Sequence, residues 1–191
     1  SASVQKVRQG PLKVLLVAPN DSHTNLYLER AFKQLGHSVT QMDYRDPKRM
    51  GYRPQDVQDN LTLNCQLNDL TLVLKGEVFT PETLRKAHCV LWNFDSWYAD
   101  DPSLLAQAKA VDLFLTPSGG LVKYYREQGA NAHWLPEAAD PQLHRPVYGV
   151  EKTADVSFIG TVKGVEGKDE WLEKVGKWCD AHGATLKIWG S

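Results

Sequence analysis

The chain reads as an α/β protein built on a parallel sheet that is buried on both faces. Short, nearly continuous apolar runs recur: Val14-Leu15-Leu16-Val17-Ala18, Leu70-Thr71-Leu72-Val73-Leu74, Cys89-Val90-Leu91-Trp92 and Leu113-Phe114-Leu115. Such runs have no polar face, as strands covered by helices on both sides require. Helical periodicity fills the intervals between them. Each run also ends in a polar or glycine cluster: Pro19-Asn20-Asp21-Ser22-His23, Lys75-Gly76-Glu77, Asn93-Phe94-Asp95-Ser96 and Thr116-Pro117-Ser118-Gly119-Gly120. The predicted fold is therefore a Rossmann-like, doubly wound parallel sheet. In open sheets of that kind the ligand crevice lies outside the carboxyl ends of the strands.

The elements follow in order. A strand over 13–18 leads to a helix over 24–35, in which Leu28, Ala31, Phe32 and Leu35 share one face. Asp21 or Ser22 can cap its start and Gly36 its end. A strand over 38–43 precedes a polar stretch, 45–64, which carries Arg45, Lys48, Arg49 and Arg53 and has no clear period. A strand over 70–75 follows, then a short helix opened by Thr80-Pro81-Glu82, with proline at a first helical position. Next come a strand over 89–93, a helix over 102–110, a strand over 112–116, a helix over 120–128 and a strand over 132–135. Pro136, Pro141 and Pro146 mark a linker. The pattern then restarts: strand 155–159, a loop with Gly160, Gly164 and Gly167, helix 168–182, strand 185–189. One βαβ unit cannot enclose its own core. The expected organisation is a first domain over 1–150 and the opening of a second, truncated Rossmann-like domain over 151–191.

Composition narrows the function classes. With 22 Lys and Arg against 23 Asp and Glu, the net charge of −1 provides no field for nucleic acid or an anionic membrane. No apolar run is long enough to span a bilayer. Cys65, Cys89 and Cys179 are far apart and lack metal-site pairing, and no metal site is expected. Free cysteines of this kind suit a reducing cytoplasm. Trp92, Trp134 and Trp189 fall in expected strands and read as core.

The order of motifs resembles the glycosyltransferases related to the spore maturation protein CgeB, which adopt the two-domain GT-B architecture. The likeness rests on Leu15-Leu16-Val17-Ala18-Pro19-Asn20-Asp21-Ser22-His23 with Leu35-Gly36-His37-Ser38-Val39, on Asp69-Leu70-Thr71-Leu72-Val73-Leu74-Lys75-Gly76, and on Leu91-Trp92-Asn93-Phe94-Asp95-Ser96. It continues in Tyr124-Tyr125-Arg126-Glu127-Gln128-Gly129, in Trp134-Leu135-Pro136-Glu137-Ala138-Ala139-Asp140-Pro141 with His144-Arg145-Pro146, and in Ala154-Asp155-Val156-Ser157-Phe158-Ile159-Gly160-Thr161. The resemblance implies an acceptor-side domain up to about residue 150 and a donor-binding domain opening at Asp155. Its partners would be a nucleotide sugar, acting as co-substrate with no other cofactor, and an acceptor that is a glycan, protein, small molecule or modified nucleic acid. The acidic residues that hold the donor in that family lie beyond position 191, so the chain alone is expected to be inactive.

Sugar transfer by inversion needs a base for the acceptor hydroxyl, and any route needs charge stabilisation of the leaving diphosphate. Asp95, beside Ser96 and Trp97, is a candidate base or a partner for acceptor hydroxyls; a turn cap is its competing role. His23 is a second candidate base, with Asn20, Asp21 and Ser22 around it, although Asp21 and Ser22 also suit a helix cap. Lys75-Gly76 presents a cation at a strand end, for a phosphate or a sugar. Ser118, Gly119 and Gly120 precede a helix, where backbone N–H groups favour anions, or simply form a turn. Trp97 can stack on a sugar ring. Glu137 and Asp140 are expected to border the cleft between the domains. By resemblance, Gly160 and Thr161 approach the donor diphosphate. The competing functional class is a non-enzymatic α/β ligand-binding or interaction module. A receiver-like phosphoacceptor fits less well, because the first strand tip offers one acidic residue, Asp21, where paired acids are needed.

Overall fold

The computed structural model describes residues 10–19, 24–45, 53–95, 101–162 and 167–190. Six strands form one parallel sheet: β1 (Lys13–Ala18), β2 (Ser38–Asp43), β3 (Leu70–Leu74), β4 (Val90–Trp92), β5 (Leu113–Thr116) and β6 (Ala132–Trp134). Their spatial order is β2-β1-β3-β4-β5-β6. The chain thus builds outward from β1 to β2, then jumps back over β1 to β3 and continues the other way. That reversal makes the carboxyl ends of β1 and β3 the switch point, where open sheets leave a crevice. The α/β Rossmann-like class read from the apolar runs is the class observed.

The helices are α1 (Thr24–Gln34), α2 (Pro54–Asn64), α3 (Pro81–Ala87), α4 (Pro102–Ala110) and α5 (Val122–Glu127), the last preceded by a 3₁₀ turn over Gly119–Leu121. They distribute unevenly. Leu15, Val17, Val73, Leu91 and Phe114 face α2 to α5 and form the larger core with Val57, Leu61, Leu84, Leu104 and Tyr125. Leu16, Ala18, Leu72, Leu74 and Trp92 face the other way and pack with Leu28 and Phe32 of α1. Consecutive side chains of β1 therefore serve opposite cores, and Val14 to Val17 are fully buried.

Three expectations change. Residues 54–64, within the stretch expected to be irregular, form α2. Pro54 occupies its first turn, the Asp56 carboxylate accepts the Arg53 N–H at 2.7 Å, and Val57 and Leu61 bury one face. In α1 only Leu28 and Phe32 of the expected apolar face pack inward; Leu35 is exposed. Trp92 is buried as expected, but Trp134 is 61% exposed, on edge strand β6, and Trp189 is half exposed.

The chain divides into two compact units, Ser1–Asp140 and Pro141–Ser191. Asp140, the last residue of the first unit, is tied to Arg30 of α1, with Nη1 and Oδ2 2.6 Å apart. The second unit holds β7 (Val156–Ile159), α6 (Lys168–His182) and β8 (Leu186–Trp189); β7 and β8 form a parallel sheet of their own. In α6 only Leu172 and Cys179 are buried, whereas Trp171 and Trp178 are more than half exposed.

Candidate functional site

The tips of β1, β3, β4 and β5 lie side by side at the carboxyl edge of the first sheet. At the usual spacing between strands, the outer two are roughly 14 Å apart. The strand ends that precede the four motifs thus share one edge. Of their residues, Asn20, Asp21, Ser22, His23, Ser96 and Trp97 lie outside the described residues; Lys75, Gly76, Asp95, Ser118, Gly119 and Gly120 lie within them.

The centre of this edge is the turn after β3. Lys75 has φ 62°, which is unusual for a residue with a side chain, and Gly76 follows at φ 74°. Such backbone persists only where its surroundings impose it. Here they do. The Lys75 N–H donates to the Trp92 carbonyl at 3.0 Å, and Asn93 Nδ2 donates to the Lys75 carbonyl at 3.3 Å. Gln107 Nε2 donates to the carbonyls of Gly76 and Phe79, at 2.9 and 2.8 Å. The Gly76 N–H donates to the hydroxyl of Tyr44, which itself lies 2.8 Å from the Leu74 carbonyl and 2.9 Å from Glu77 Oε2. Arg45 completes the arrangement by pairing with Glu77. Burial holds the Tyr44 phenol far above its ordinary range, so it stays protonated and available to donate.

This backbone aims Lys75 across to β4. Its Nζ stands 2.6 Å from Asp95 Oδ2 and 5.4 Å from the centre of the Phe94 ring. Asn93 Oδ1 accepts the Asp95 N–H at 2.9 Å, an Asx turn that fixes the start of the loop. Asn93 therefore positions both partners of the pair, one through each end of its amide. The sequence reading placed it at a strand tip without a role. Its signal was the Asn-x-Asp spacing.

Beside this pair, on the α1 side of the sheet, Thr24, Tyr27, Leu28, Trp92, Phe94, Glu137 and Ala138 line a cavity of about 220 Å³. Trp92 and Phe94 meet edge to face, with ring centres 5.5 Å apart. Trp92 buries its indole N–H with no partner among the described residues. The segment after β6 supplies the remaining wall. It leaves β5 where the Leu135 N–H donates to Thr116, brings Glu137 and Ala138 over the tip of β4, and is fastened to α1 by Asp140. Glu137 thus belongs to the site and is exposed, whereas the Asp140 carboxylate is only 6% exposed and serves as an anchor.

The other candidates are placed differently. The N–H groups of Ser118 and Gly119 are used by Thr116 Oγ1 and the Pro117 carbonyl. In the second unit, the Gly160 N–H donates to the Trp189 carbonyl, and the Thr161 carbonyl accepts from Lys168 Nζ at 2.9 Å. Among the described residues, no group of three His, Cys, Asp or Glu side chains has the arrangement of a metal site. No helix among them is long and apolar enough to cross a membrane. A scan against protein-family models and a search of curated proteins each give no match to the chain.

Proposed function

We infer that the chain is the acceptor-side portion of a GT-B glycosyltransferase similar to the CgeB-like enzymes, followed by the opening unit of a donor-binding domain. The observation that carries this reading is the junction of two features in one chain: a six-stranded parallel sheet with a charged pair, Lys75 and Asp95, at its carboxyl edge, and a second parallel βαβ unit after residue 140. In this reading the bond between sugar and diphosphate breaks while one forms to an acceptor oxygen. Asp95, held in place by Lys75 and Asn93, accepts the acceptor proton through the oxygen that Lys75 does not hold. His23 is the next candidate for that task. Thr161 and the loop after it contribute to the diphosphate side. A polypeptide carrying this chain together with a complete second domain is expected to consume a nucleotide sugar, measured by release of the nucleotide. The 191-residue chain alone is not. Tight calorimetric binding of a nucleotide sugar to the 191-residue chain would contradict the division of labour between the domains.

A second reading, a ligand-binding module without catalysis, is favoured by one observation. The cavity beside the pair is walled mainly by apolar and aromatic side chains, the usual character of a binding pocket.

A further inference from the structure

We propose that the cavity between α1, the tip of β4 and the segment after β6 binds a compact organic cation, an alkylammonium or amine-bearing group. Three properties select that class. The cavity is smaller than the usual range for drug-sized ligands, so it suits one small ring or a branched headgroup. Three aromatic rings, Tyr27, Trp92 and Phe94, contribute to its wall, and aromatic faces attract cations through the ring quadrupole. Among the described lining residues, the one charged side chain is a carboxylate, Glu137. Among the described residues, Lys75, which stands over Phe94, is paired with Asp95, and Arg30 is paired with Asp140. The described lining residues thus carry a single negative charge, which favours a cation and disfavours phosphate. Lys75 Nζ already stands over Phe94, so this ring serves the protein's own cation in the way proposed for the ligand.

The anchoring of Asp140 gives the wall its shape. Glu137 lies between the strand partner of Leu135 and the Asp140–Arg30 pair, so its backbone is held on both sides. The proposal rests on the transferase reading only for its meaning, which is that the acceptor carries an amine. The binding itself does not depend on sugar transfer.

The test uses calorimetry on the full 191-residue chain. Choline is compared with its uncharged analogue, in which carbon replaces nitrogen, and with inorganic phosphate. The analogue has the same shape, so the comparison isolates charge. Choline is expected to bind about tenfold more tightly than the analogue. Glu137→Gln should remove most of that difference while leaving analogue binding unchanged. Glu137 is exposed, so the variant retains the fold. Equal binding of choline and analogue would overturn the proposal in favour of a purely apolar pocket. So would an absence of choline binding at millimolar concentration, or phosphate binding that Glu137→Gln strengthens. None of these results would touch the transferase reading, which is decided by nucleotide-sugar consumption in the longer polypeptide.

Discussion

Gly76 is the residue on which the carboxyl edge turns. Its φ of 74° lies in the left-handed region, and an added Cβ would stand 2.9 Å from Leu91 Cδ1 and 3.1 Å from Val73 Cγ1. Both neighbours are buried β-strand side chains and have little room to give. Gly76→Ala is therefore expected to lower unfolding free energy by about 1–3 kcal/mol, read from denaturant midpoints. A change within a few tenths would mean that the turn is not held as described. Tyr125 shows the opposite case. Its ring packs on Phe114 with centres 4.7 Å apart, but its buried hydroxyl has no partner among the described residues. A buried polar group without a partner is a cost, and removing it while keeping the ring is favourable. Tyr125→Phe should hold or raise the melting temperature, and a clear fall would reveal a partner for the hydroxyl. The sequence showed Gly76 as a strand-end glycine. It did not show the tyrosine's lack of a partner, which depends on packing around α5.

At the scale of elements, legibility followed hydrophobic contrast. The strands β1, β3, β4 and β5 were plain because consecutive residues are apolar on both faces, and the restart at β7 was plain for a similar reason. Helix α2 was not, because only Val57 and Leu61 mark its buried face within eleven mostly polar residues. Its proline at the first turn and its Asp56 were the available signals. The tryptophans misled in the other direction. A large aromatic side chain in a strand reads as core, but β6 is an edge strand, and Trp134 there spends its indole N–H on the Pro117 carbonyl at 3.0 Å. The cap of α4 is testable. Asp101 precedes Pro102, and its Oδ1 accepts the N–H groups of Ser103 and Leu104 at 2.9 and 3.1 Å. Asp101→Ala should cost about 0.5–2 kcal/mol, measured by chemical denaturation. No loss would mean that solvent satisfies those groups equally well.

At the scale of the whole molecule, burial in the larger core sets the response to alkali. Burial pushes the Cys89 thiol from 9.0 up to about 12, and it pushes the Tyr125 phenol from 10.0 up to about 12. Both groups keep their protons in the folded state at a pH where the unfolded chain releases them. Their contribution to stability is intact below those ordinary values and is lost as pH rises through about 12. Denaturation midpoints should fall across that window, and Tyr125→Phe should make the fall shallower; an unchanged slope would remove Tyr125 from it. The six strands were readable in advance, and their order in the sheet brings the carboxyl ends of β1, β3, β4 and β5 together. The aromatic cavity was not, because Tyr27, Trp92 and Glu137 meet only through the return of the chain from β6 to α1. The central claim is that this edge transfers sugar with Asp95 as the base. It is tested most directly by steady-state kinetics of Asp95→Asn in a polypeptide that includes a complete second domain. The account predicts a kcat lowered on the order of a hundredfold or more with the KM for the nucleotide sugar little changed; an unchanged kcat would contradict it.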